Sequence, residues 1–137
     1  MIYTTAELTI KNNSTFLDKP IILYRGDKNV EIQFILKERS FAQYEINEHN
    51  IIEELDASFG QIVFINPDGK IISSDITATR DGKVIFVIPK EMIDEKSEVG
   101  IYTLQIRLYD KQQTSRVTLP PCVDGLIVRE PIAIENW

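Results

Sequence analysis

Between residues 30 and 36, Val30, Ile32, Phe34 and Leu36 alternate with Glu31 and Gln33, and only Ile35 breaks the pattern. Between 102 and 109, Tyr102, Leu104, Ile106 and Leu108 alternate with Thr103, Gln105, Arg107 and Tyr109. Successive side chains of a strand point to opposite faces, whereas a helix would scatter this pattern around its circumference. A period of two therefore commits both stretches to half-buried strands whose inner faces meet one core. Residues 61–65 (QIVFI) and 84–88 (VIFVI) are apolar throughout, short and rich in β-branched side chains. They are expected as strands covered on both faces. Further strands are expected at 3–10, 20–24, 71–77, 115–119 and 125–129.

Turn chemistry separates these runs. Asn66-Pro67-Asp68-Gly69 supplies a proline of fixed φ and a glycine that accepts positive φ. Asp81-Gly82 marks a hairpin between 76–80 and 83–88. Pro120-Pro121 ends a strand, because neither residue can donate to a ladder. Residues 11–19 read as a polar loop, and Gly26-Asp27-Lys28-Asn29 as a hairpin-type connection between the strands at 20–24 and 30–36. Two stretches have helical character. One is Asn50–Asp56. The other follows Pro89, where Glu91, Asp94 and Glu95 favour the positive end of a helix. The expected fold is all-β: an antiparallel β-sandwich with one or two short helical turns, in an immunoglobulin-like or a jelly-roll topology. At 137 residues, 43% of them hydrophobic, residues 1–137 form a single domain with a core sufficient without disulfides or metals.

The chemistry is sparse. A net charge of −6 and a pI near 4.8 repel phosphate backbones, so no nucleic-acid partner is expected. Apolar runs of about five residues are too short to span a membrane. The start, MIYTTAELTI, reads as a strand rather than a secretion signal. The sequons at Asn12 and Asn13 are accordingly expected to be coincidental. The single cysteine, Cys122, cannot form an internal disulfide and reads as a structural thiol. His49, the single histidine, reads as a solvated loop residue without a nucleophile or acid nearby in sequence. No phosphate-binding glycine loop, zinc ligand set or calcium loop occurs, and Glu53-Glu54 and Glu91/Asp94/Glu95 read as solvated faces. The expectation is a protein that is not an enzyme and holds no cofactor and no metal. Arg25-Gly26-Asp27 is an adhesion tripeptide by spelling, but its setting between two strands makes it a polar turn.

The ordered segments YRGDKNVEIQFIL (24–36), GQIVFINPDGKIISS (60–74), DGKVIFVIPKEM (81–92), GIYTLQIRLYD (100–110), RVTLPP (116–121) and IVREPI (127–132) resemble the N-terminal domain of phage baseplate upper proteins. These are tail structural proteins of siphophages that infect Gram-positive bacteria. The resemblance runs from about residue 5 to 134. It implies a β-rich, non-enzymatic domain, the N-terminal part of a longer tail protein, that docks the receptor-binding apparatus onto the tail core. It also implies other tail and baseplate proteins as partners, a receptor-binding protein carried by the full-length chain, a homotrimeric full-length protein, and a place in the virion after synthesis in bacterial cytoplasm. The alternative reading is a carbohydrate-binding β-sandwich module contacting bacterial cell-wall sugars. Outward apolar residues Ile35 and Tyr109, with Ile132, Ile134 and Trp137 near the end of the chain, are the expected interaction residues.

Overall fold

The structure, a computed structural model, describes residues 2–11, 14–42, 45–50, 57–75, 78–80, 83–94, 96–110 and 116–132. Its strands are β1 (Ile2–Lys11), β2 (Ser14–Leu17), β3 (Ile21–Tyr24), β4 (Val30–Ala42), β5 (Glu45–Asn50), β6 (Ala57–Ile65), β7 (Ile71–Asp75), β8 (Ala78–Arg80), β9 (Lys83–Val87), β10 (Gly100–Asp110), β11 (Arg116–Thr118) and β12 (Cys122–Arg129). A single helical turn, α1 (Lys90–Ile93), lies between β9 and β10. The first sheet has the order β2-β1-β4-β9-β8, with β5 also paired to β4. The second has the order β3-β12-β10-β6-β7, with β11 also paired to β10.

The alternation drives this assembly. Ala6, Leu8 and Ile10 of β1, Val30, Ile32, Phe34 and Leu36 of β4, and Val84 and Phe86 of β9 form the inner face of the first sheet. Ile21 and Leu23, Ile62 and Phe64, the even-numbered residues Tyr102 to Leu108, and Leu126 and Val128 face them from the second. Phe86 links the layers: its ring lies 5.4 Å from that of Phe34 in its own sheet and 5.7 Å from that of Phe64 across the core. Each such large side chain, fully buried, contributes about 1.5–3 kcal/mol of transfer free energy. Tyr102 is buried too, and its hydroxyl donates to the Glu98 carbonyl at 2.7 Å, which satisfies the polar end of the ring.

Several expectations are corrected. The sheets are mixed, because β1 runs parallel to β4 and β3 parallel to β12. The β3–β4 connection is not a hairpin: β3 belongs to the second sheet and β4 to the first, so the chain crosses between layers there. Turn residues report a reversal but not which layer receives the next strand. Residues 61–65 are half-buried rather than covered twice, since Ile62 and Phe64 are buried while Ile65 is 39% exposed. Residues 84–88 match the expectation in part: the strand ends at Val87, with Ile85 buried on the outer side and Val87 half-buried there. The loop expected at 11–19 contains β2, which pairs antiparallel with β1. Leu17 of β2 packs over Gly125 of β12, where a side chain would meet its Cγ at 3.1 Å. Thr15 Oγ1 donates to the Pro120 carbonyl at 2.6 Å, so β2 closes that side of the sandwich. His49 lies on β5 opposite Glu38, not in a loop. Of the expected helix at Asn50–Asp56, Asn50 ends β5 and the rest lies outside the described residues. The helix after Pro89 is one turn long, because Asp94 is already extended at ψ 175.

Candidate docking surface

The outer faces of the two sheets differ in character. On the first, Thr5, Glu7 and Thr9 of β1 stand beside Gln33, Ile35 and Lys37 of β4 in register. The Lys37 ammonium lies 3.0 Å from the Glu7 carboxylate, and Gln33 Nε2 donates to Glu31 Oε2 at 3.0 Å. Ile35 is half-buried within this polar face, between Glu7 and Lys83 in register. It therefore offers little free apolar surface.

On the second sheet, isoleucines line up across five strands. Ile22 of β3 pairs with Ile127 of β12, and Ile127 pairs with Ile101 of β10. Ile65 of β6 pairs with Ile71 of β7 and with Thr103, two residues from Ile101 and on the same face of β10. That diagonal is within reach of a long side chain. All five point outward, because their immediate neighbours Ile21, Leu23, Phe64, Ile72, Tyr102, Leu126 and Val128 point into the core. Ile22 is 40% exposed, Ile101 55% and Ile71 66%, while Ile127 is half-buried. Strands are spaced about 4.8 Å apart, so the row runs about 20 Å perpendicular to them. Tyr24 and Val99, both exposed, widen it towards the end of the sandwich that carries α1 and the β6–β7 turn.

That end is held by the Arg25-Gly26-Asp27 segment. The Arg25 guanidinium donates from Nε to the Ser97 carbonyl at 2.6 Å and pairs with Glu130 at 2.7 Å. The Gly26 N–H donates to the Ile93 carbonyl at 2.6 Å. The Arg25 N–H faces β12, donating to the Arg129 carbonyl at 3.0 Å, so the Tyr24 N–H faces the free edge of β3. The Asp27 carboxylate accepts from that Tyr24 N–H at 3.1 Å. The aspartate thus blunts an edge strand, and the arginine ties β3, β12 and the segment after α1 together. Both charges serve the turn, as its setting between strands implies. Nearby, the N–H of Lys96 and the hydroxyl of Ser97 donate to Asp94, which holds its carboxyl below the ordinary value.

The expected interaction residues are not brought together. Tyr109 is half-buried near the opposite end of β10, opposite Phe59 and Arg116 in register. Ile132 is 86% exposed, three residues past the end of β12. Ile134 and Trp137 lie outside the described residues. The isoleucine row escapes a reading of the sequence because its members sit on five different strands. Each is merely an apolar residue out of phase with its own inward face, and register alone aligns them. Burial makes Cys122 a poor nucleophile: it is buried, and desolvation raises its thiol pKa. Among the described residues, no three His, Cys, Asp or Glu side chains are placed to hold a metal ion. No described helix is long and apolar enough to cross a membrane.

No known family's sequence profile matches the chain, and no curated protein matches it. Among solved structures, the chain shares its fold with the N-terminal domain of phage TP901-1 ORF48, with a TM-score of 0.63 over 94% of this chain and 99% of that one at 10% sequence identity.

Proposed function

We propose that this chain is a non-enzymatic structural domain of a phage tail baseplate, which docks the receptor-binding apparatus onto the tail core. The observation that carries the reading is the shared fold with a phage protein's N-terminal domain, matched over nearly the full length of both chains. The isoleucine row supports a docking role, since contiguous exposed apolar surface on a soluble domain marks an interaction site. In this reading the partners are other tail and baseplate proteins and the receptor-binding protein, the full-length protein is a homotrimer, and the location is the virion. Sugar binding by stacking needs aromatic rings that share a platform. Among the residues whose side chains are described, the exposed rings of Phe16 and Tyr24 belong to different sheets, which favours the docking reading over the carbohydrate one.

The test is immunogold labelling of phage particles induced from the source bacterium, with an antibody raised to this domain. Gold at the tail tip is the expected result. Unlabelled particles with accessible tips, from an induction confirmed to express the protein, overturn the assignment.

A further inference from the structure

We infer that the isoleucine row on the second sheet is the seat of an amphipathic α-helix supplied by a partner protein with basic flanks. The inference rests on the docking reading and names its partner chemistry. Three observations lead to it. First, shape: the apolar residues form a band about 20 Å long that crosses five strands, stepping by two residues between Ile101 of β10 and Ile65 of β6. A helix of about 13 residues laid across the sheet covers that length, with apolar side chains at i, i+3, i+4 and i+7. Strand addition would instead use a sheet edge, and the edge of β3 is capped at Tyr24 by Asp27. Second, size: the five isoleucines with Tyr24 and Val99 are seven residues, far fewer than the roughly 20–30 a side of a self-sufficient interface. A pair of copies joined here alone would be weak. Third, charge: each copy carries −6, so two copies repel and a basic partner is attracted. Around the row, Asp68, Glu98 and Glu130 are exposed on one side and Asp75 and Asp124 on the other; Lys70, Lys96 and Arg129 are exposed among them, Arg25 pairs with Glu130, and Arg107 is in register with Gln61, which pairs with Asp75.

The probe is a pair of fluorescent leucine–lysine peptides of identical composition. One has leucines at helical spacing, and the other has leucine and lysine in strict alternation, which favours a strand. Anisotropy titrations use the wild-type chain, Ile71→Thr, Ile101→Thr and the double variant, with Ile35→Thr on the opposite sheet as a control. Threonine keeps β-branching at exposed strand positions, and unchanged circular dichroism verifies each fold. Either single variant serves alone if the other does not fold. The helical peptide is expected to bind the wild type and Ile35→Thr alike, and to bind the double variant at least about tenfold more weakly, as for the loss of roughly two buried methylene groups. Equal or tighter binding of the alternating peptide overturns the inference, as does helix binding indifferent to the row. Sedimentation showing self-association abolished by Ile101→Thr assigns the row to a second copy and overturns it as well. Gold label at the tail tip without helix binding rejects this inference and leaves the tail assignment standing. Helix binding without gold label does the reverse.

Discussion

Replacing Gly100 with alanine tests how the end of the sandwich bearing the isoleucine row is built. Gly100 opens β10 at φ +142, a conformation that side chains rarely adopt. A Cβ there would also lie 2.8 Å from Cγ and 3.5 Å from Cβ of Pro67. The proline cannot swing away freely. Its turn is held by the Gly69 N–H donating to the Asn66 carbonyl, and by Asn66 Oδ1 accepting from the N–H groups of Asp68 and Lys70. Backbone strain of this kind costs about 1–3 kcal/mol, and overpacking costs a similar amount. Relaxation relieves both together, so the expected loss is about 2–4 kcal/mol rather than their sum. For a chain of this size that lowers Tm by roughly 10 °C. Gly69→Ala separates the two contributions. Gly69 has φ +85, and no atom lies within 4 Å of the position a methyl would take, so alanine there pays the backbone cost alone, about 1–2 kcal/mol. Urea unfolding of both variants, with unchanged m values, measures the difference. If Gly100→Ala loses no more than Gly69→Ala, the contact with Pro67 carries no weight and the reasoning is refuted.

Three further outcomes are expected. Arg25→Ala removes both the bond to Ser97 and the pair with Glu130, and should cost about 1–2 kcal/mol in urea unfolding, whereas Glu130→Gln, touching only the exposed pair, should stay within about 0.5 kcal/mol; equal losses would show that the Ser97 bond contributes nothing. Cys122 should resist a thiol reagent at pH 8 in the folded chain and react quickly in urea, because burial raises its pKa; rapid labelling without denaturant would contradict that. Asp94 should titrate below the ordinary aspartate value of 3.8, first through its bond from the Lys96 N–H and then through that from Ser97. Since the folded pKa is the depressed one, its contribution to stability is present above the unfolded value and is lost as pH falls through the folded one. A carboxyl NMR titration that finds no depression removes that contribution.

The period-two runs at 30–36 and 102–109 determined by themselves that these residues would be strands and which side chains would be buried. The alternation is a property of the strand backbone and needs no partner to be visible. The Asn66–Gly69 turn and the β8–β9 hairpin, closed where Arg80 pairs with Lys83, were legible for the same local reason. β2 and β5 were not, because Ser14–Leu17 and Glu45–Asn50 carry little apolar alternation and pair beside longer strands that do. The parallel pairings and the layer change at Arg25–Asn29 were also hidden. Either sheet can accept a strand with one apolar face, and only the packed arrangement selects between them. The candidate surface lies at the same remove: Ile22, Ile65, Ile71, Ile101 and Ile127 are up to 105 residues apart in the chain, and each looks incidental on its own strand. Hydrogen-bond register between strands distant in sequence sets them in one row, and that register exists only once the tertiary structure has formed.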